Sequence, residues 1–172
     1  MQLTGAQIVE AGIITNMSME GLQQQGIDLR LDRIGYLGGV GIVADKTHIP
    51  ATIWMDKERF NVADSGKEPD YRTGYVLNPG YYEVELMEGC NIPNNVAVIL
   101  KSRSSMVRCG AEVRSGQFDA GFHTEKMGCY LKVERTIMIE HGARICQAIC
   151  NETSIVGEEN LYNGQFQEDC QR

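Results

Sequence analysis

The 172-residue chain has no run of about 18 apolar residues, the length that a membrane-spanning helix needs. Its first residues, Met1-Gln2-Leu3-Thr4, carry neither the basic nor the apolar region of an export signal. No membrane association is expected, and the expected location is cytoplasmic. A basic surplus is missing as well: 16 Lys and Arg stand against 23 Asp and Glu, for a net charge of −7. That argues against a nucleic-acid partner, which would call for a basic surface to release counterions. It leaves room for a small anionic substrate held by a few arginines. No C-x-x-C occurs among the six cysteines at positions 90, 109, 129, 146, 150 and 170. A chain of this size buries about 70% of its unfolded surface and needs no disulfide framework, so reduced thiols are expected.

Long helical periodicity is scarce too. One helix is expected at the N-terminus, where Thr4-Gly5-Ala6-Gln7 fits a capping box and Ile8, Val9, Ala11 and Ile13 form a broad apolar face. The remainder reads as short strands between turns. Residues 27–31, 82–86 and 130–133 alternate with period two, and Val96-Ala97-Val98-Ile99-Leu100 reads as a strand buried on both faces. Two more strands are expected at 137–139 and 145–149, with turns at Asn78-Pro79-Gly80 and Ile92-Pro93-Asn94-Asn95. Residues 45–73 read as a polar, irregular excursion, and His141 as a solvated turn residue. The fold class is therefore all-β, a sandwich or barrel. One domain over 1–157 is followed by a polar, mobile C-terminal tail over 158–172.

Three constellations carry chemistry. In Leu100-Lys101-Ser102-Arg103-Ser104-Ser105-Met106-Val107-Arg108 a strand runs into two serines and a helical turn. Free backbone N–H groups, hydroxyls and two arginines suit a phosphate; a serine-capped helix with solvated arginines is the plain alternative. In Ser115-Gly116-Gln117-Phe118-Asp119-Ala120-Gly121-Phe122 a hairpin offers Gly116 for close approach, Asp119 to activate water and Phe122 as an aromatic face. Asp119 binding its own turn is the alternative there. Asp28, inside an apolar strand, is an odd strand residue and suggests a hydrogen-bonding or metal-water role. By contrast, His123-Thr124-Glu125 with Cys146 and Cys150 is a poor zinc-deaminase signature: no proline precedes Cys146, and cysteines four apart on a strand lie about 13 Å apart.

Taken in order, these segments resemble the dUTPase and dCTP deaminase superfamily over nearly the whole chain. Residues 26–31 are similar to its first motif, and Arg103-Ser104-Ser105 with Arg108 to the deaminase pattern R-S-S-x-x-R. Residues 115–122 are similar to the A-G-x-I-D hairpin, and Gly142-Ala143-Arg144-Ile145-Cys146-Gln147 to G-x-R-I-x-Q. Residues 162–167 resemble the tail Y-x-G-K-Y-Q. The resemblance implies a distorted jelly-roll-like β barrel with a short N-terminal helix. It also implies a homotrimer with interfacial active sites, a deoxypyrimidine nucleoside triphosphate as substrate and Mg²⁺ as cofactor.

Residue by residue, the resemblance assigns Arg103, Ser104, Ser105 and Gln147 to the phosphates, beside Arg108. The hairpin backbone at Gly116 would read the pyrimidine, Phe122 would pack under the deoxyribose and Asp119 would activate water. Asp28 would seat the hydrated metal, and Tyr162 and Gln167 would close the tail over the nucleotide. Gln117 departs from the pattern at a variable hairpin position and bears on base selection. Thr124, too, departs from it, standing where the motif has glycine. Deaminases of the family use a glutamate ten residues after the hairpin aspartate; the simplest alignment puts Cys129 there. A thiol is a poor substitute for a carboxylate that must accept and donate protons. The expected activity is hydrolysis of dUTP to dUMP and pyrophosphate. Deamination of dCTP, alone or in addition, returns if an insertion after Phe122 moves Glu134 near the deaminase position. A non-catalytic nucleotide-binding regulator is the third reading.

Overall fold

The computed structural model describes residues 1–38, 40–44, 47–49 and 52–164. Of the described residues, half lie in strands and 11% in helices. Period-two alternation puts Val84, Leu86, Leu131 and Val133 on the inner face of their strands, where all are buried. Among the described residues the main sheet has nine strands. Along its path Ala111–Arg114, Gly128–Val133, Gly80–Leu86, Gly26–Leu37, Arg144–Glu152, Val96–Ser102 and Gln117–Phe118 follow one another, each antiparallel to the next. Leu22–Gln23 and Thr52–Trp54 add to Gly26–Leu37 at its two ends.

The 12-residue strand Gly26–Leu37 is the hinge of this path. Its first half pairs with Arg144–Glu152 and its second with Gly80–Leu86, with register shifts between Arg144 and Cys146 and between Leu31 and Arg33. Irregularities of this kind bend a strand, and the sheet curls into a half-barrel around Ile27, Leu29, Leu31 and Ile34, all fully buried. Its far ends meet through side chains. The Val113 N–H donates to Ser102 Oγ at 2.7 Å, and the Leu100 N–H to Ser115 Oγ at 3.3 Å. Smaller sheets close the flanks: Ile14–Thr15, Gly89–Asn91 and His123–Thr124 on one, and Glu58–Asn61, Tyr71–Leu77 and Ile137–Glu140 on another.

The N-terminal helix, Gly5–Glu10, starts at the reciprocal Thr4–Gln7 capping box expected of it. It is shorter than its apolar face suggested. Gly12 takes φ +63° and ends it: the Gly12 N–H donates to Val9 O and the Ile13 N–H to Ile8 O, which leaves Val9 exposed while Ile8 and Ile13 meet in the core. Val96–Ser102 also differs from expectation. Val96, Val98 and Leu100 are buried but Ala97 and Ile99 only half so, because one face of this strand looks out of the barrel. The polar stretch 45–73 is not irregular throughout: it contributes Thr52–Trp54 and Glu58–Asn61, the latter with Phe60 alone buried and hence little apolar signal. Among the described residues no helix is long and apolar enough to cross a membrane.

Candidate active site

The hairpin is shaped by its turn. The Phe122 N–H donates to Asp119 O at 3.1 Å, and Gly121, third of the four turn residues, has φ +84°, a conformation that favours glycine. Ile92 clamps the turn from outside, accepting from the Gly121 N–H and donating to Phe122 O. The glycine conformation after Asp119 thus falls at Gly121, while Thr124 bonds Lys126 through its hydroxyl.

This hairpin forms one wall of a cleft of about 610 Å³, the size range of small-molecule sites. Gly116, Gln117, Asp119 and Phe122 all line it. A Cβ at Gly116 would meet nothing within 4 Å, so a ligand can approach the backbone there. Asp119 is exposed, and the Gln117 amide donates to its Oδ1 at 2.8 Å. Phe122 is buried against Phe118 on one side and receives Tyr162 edge-on at 5.1 Å on the other. The Tyr162 N–H bonds Ala120 O, so the start of the tail lies on this chain's own hairpin. Gln167 lies outside the described residues.

The opposite wall was not anticipated. Glu83 and Glu85 line it with Trp54 and Lys126. Their strand alternates in the way a solvated face does, which gave no signal of a site. Burial raises Glu83, with Arg33 opposing and Glu85 adding to the shift; Thr52 Oγ1 donates to its carboxylate. Lys126 Nζ bridges Asp32 at 2.6 Å and Glu85 at 3.1 Å. Despite burial, hydrogen bonds from Lys126 and His141 hold Asp32 below the usual carboxylate range. His141 is therefore half-buried and paired at 3.3 Å, not a solvated turn residue.

Cys129 lines the cleft and is 5% exposed. A hydrogen bond to Cys129, then burial, pushes the neighbouring Cys146 thiol well up. Glu134, by contrast, is an exposed residue just past the Gly128–Val133 strand, ion-paired with Lys132, and does not line the cleft.

The other expected site residues form a second group. Val96–Ser102 hands over to Ser104–Arg108, with Arg103 as N-cap and Ser104 and Ser105 exposed in the first turn. Arg103 Nε pairs with Asp28 Oδ2 at 3.0 Å, and its Nη1 donates to Arg144 O at 3.1 Å. Gln147, opposite Asp28 in the sheet register, donates to Asp28 Oδ1 at 3.4 Å. Arg144 closes the far side, with Nη1 3.8 Å from Asp28 Oδ2. Arg108, in the last turn, is exposed. None of these residues lines the cleft. Phe118 sits opposite Val98 and Gln147 opposite Lys101, so the two groups are offset by three residues, about 10 Å along the Val96–Ser102 strand.

Asp28 corrects one expectation. Asp28 is 3% exposed, and each of its carboxylate oxygens already receives a donor. A hydrated Mg²⁺, which keeps several of its waters, has no place between two guanidinium groups. Among the described residues no three His, Cys, Asp or Glu side chains gather as a cation site. A resident metal does not fit at Asp28.

A family model described as dCTP deaminase-like matches residues 2–153. The chain belongs to that family. Curated relatives place it in the wider dUTPase and dCTP deaminase superfamily and among enzymes of nucleotide metabolism. A probable deoxyuridine 5'-triphosphate nucleotidohydrolase of Methanococcoides burtonii is 35% identical over 151 residues, covering 86% of this chain and 82% of the relative. The deoxyuridine 5'-triphosphate nucleotidohydrolase of Methanocaldococcus jannaschii is 32% identical over 156 residues, covering 87% and 92%. The solved 2'-deoxycytidine 5'-triphosphate deaminase of Agrobacterium tumefaciens shares the fold, with a TM-score of 0.55 at 20% identity over 87% of this chain. The chain spans about half of that protein, 47% of its length.

Proposed function

We propose that this dCTP deaminase-like chain is a dUTP diphosphatase, converting dUTP to dUMP and pyrophosphate. One observation carries the choice: Cys129, the position to which the simplest alignment assigns the deaminase carboxylate, lines the cleft that holds the Asp119 hairpin. In this reading the pyrimidine edge meets the backbone around Gly116, and the deoxyribose packs on Phe122. Gln117 holds Asp119 Oδ1, which leaves Oδ2 to take a proton from the attacking water. Water oxygen bonds to the phosphorus next to the sugar, the bond to the bridging oxygen breaks, and pyrophosphate leaves with its negative charge. Charge-assisted hydrogen bonds from Arg103, with Ser104, Ser105 and Gln147, receive it. Any Mg²⁺ would be held by the nucleotide, as the counter-ion of its triphosphate, and would neutralise charge there.

The offset between the two groups supports a further part of the proposal. The hairpin of one subunit would face the phosphate donors of the next in a homotrimer, with the tail beyond Glu158 closing over the nucleotide.

A second reading, deamination of dCTP, draws on Glu83, a carboxyl raised by burial in the same cleft. Incubating the purified protein with dUTP and with dCTP, both with Mg²⁺, and resolving products by ion-exchange chromatography decides between them. Conversion of dUTP to dUMP with dCTP untouched is the expected result. Formation of dUTP or dUMP from dCTP would hand the base chemistry to Glu83. No reaction with either would leave the regulator.

A further inference from the structure

We propose that Asp28 is a positioning residue for the phosphate donors. The inference rests on reading Arg103 and Gln147 as those donors, and therefore on the triphosphate-binding part of the proposed function. Asp28 sits in the bent half of Gly26–Leu37, where the register sets it directly opposite Gln147. Gly26, two residues earlier, makes space for the stem of that glutamine: a Cβ there would lie 2.9 Å from Gln147 Cγ. One carboxylate therefore fixes two side chains, one from the helix N-cap and one from the strand Arg144–Glu152. Oδ2 takes the Nε–H of Arg103, and Oδ1 takes an amide N–H of Gln147.

The remaining geometry follows from hydrogen-bond capacity. With Nε on Asp28 and one Nη1 hydrogen on Arg144 O, the Arg103 plane is set. Its Nη2 hydrogens and the second Nη1 hydrogen stay free for an anion, a planar fork suited to phosphate oxygens. Arg144 holds Asp28 from the opposite side while its own Nη1 donates to Glu20 O at 2.5 Å, which fastens the cluster to the loop before the strand. A donor array fixed before the ligand arrives saves the ordering cost of binding. In this arrangement Asp28 acts on phosphate through Arg103 and Gln147, and not on a cation through water.

The test is the full-length Asp28→Asn variant, with Arg144→Gln as a second probe of the cluster; Arg144 is about a third exposed and can be changed with little risk to folding. Calorimetric titration with inorganic triphosphate and with a non-hydrolysable dUTP analogue is run in EDTA and over a Mg²⁺ series. For Asp28→Asn, binding is expected to weaken about 10–100-fold, in EDTA as much as with Mg²⁺. The Mg²⁺ concentration for half-maximal turnover should stay within about twofold of wild type, with KM raised more than kcat is lowered. Arg144→Gln should weaken triphosphate binding in EDTA in the same direction. Unchanged binding in EDTA with a raised Mg²⁺ requirement would make Asp28 a cation seat and overturn the proposal, as would unchanged binding throughout. A wild type that binds triphosphate but leaves dUTP intact would sink the hydrolase reading alone. A wild type that fails to bind triphosphate would sink this inference.

Discussion

Asp28 is a buried carboxylate whose surroundings pull its protonation in opposite directions. Burial raises it above the usual carboxylate range, and the attraction of Arg103 and Arg144 and the Gln147 hydrogen bond only partly offset that. The folded chain therefore holds this proton to higher pH than the unfolded chain does. Stability from this group is present at low pH and falls as pH rises through the window just above the ordinary carboxylate range; beyond it the cost is constant. Asparagine keeps the shape and never ionises. Asp28→Asn should thus match wild type in thermal melts near pH 4 and melt no lower, or higher, near pH 7. A fall in melting temperature at about pH 7 alone would show that the ion pairs outweigh burial.

At the scale of elements, the hairpin depends on its turn glycine. Gly121 has φ +84°, and a Cβ there would stand 2.9 Å from Leu161 Cβ. Gly121→Ala therefore combines backbone strain of about 1–3 kcal/mol with displacement of the segment that seats Tyr162 on Phe122. The expected result is a melting temperature lower by about 3–8 °C, read by calorimetry. A proteolytic cut near residue 160 that appears sooner than in wild type would report the released tail; an unchanged melt and cleavage rate would mean that the turn and tail absorb the methyl.

Much of this element-level frame was legible in the sequence. Period-two runs at 27–31, 82–86 and 130–133 fall within the strands Gly26–Leu37, Gly80–Leu86 and Gly128–Val133, the strand expected at 145–149 falls within Arg144–Glu152, and the Thr4–Gln7 box marked the helix start. Motif order brought the hairpin residues to one cleft and Arg103, Asp28 and Gln147 to one cluster. What stayed hidden depends on pairing across the sheet. Arg144 reaches Asp28 because the register slips between Arg144 and Cys146, and no local pattern announces a slip. Glu88 is another case: it looks like a loop carboxylate in Met87-Glu88-Gly89, yet it is fully buried on Arg30, accepting from its Nε at 2.6 Å and its N–H at 2.7 Å. The pairing of Leu31 with Leu86, continued by the Met87 N–H to Arg30 O, brings those two residues together.

For the whole molecule, the decisive feature is that one chain presents a cleft at the Asp119 hairpin and a separate cluster around Arg103, which the proposed function reads as the base side and the phosphate side. In the proposed trimer each working site takes Asp119 from one subunit and Arg103 from a neighbour. Asp119→Asn and Arg103→Ala should then each lose most dUTP turnover, about 100-fold or more for the missing base. Mixing them gives a different result. In a trimer of both chains, a site that joins the intact hairpin of the Arg103→Ala subunit to the intact donors of the Asp119→Asn subunit carries no defect. Random assembly from equal amounts places such a pair in about a quarter of the sites, since each partner is the required one half of the time. Unfolding and refolding the two variants together should recover about a quarter of wild-type turnover, whereas mixing them after separate refolding should recover little until subunits exchange. If both groups served one active site within a single chain, every site would keep one defect and co-refolding would restore nothing. The measurement thus reads the architecture of the site through activity alone, and a null result, with each variant shown to fold and to assemble with the other, would assign cleft and cluster to one subunit.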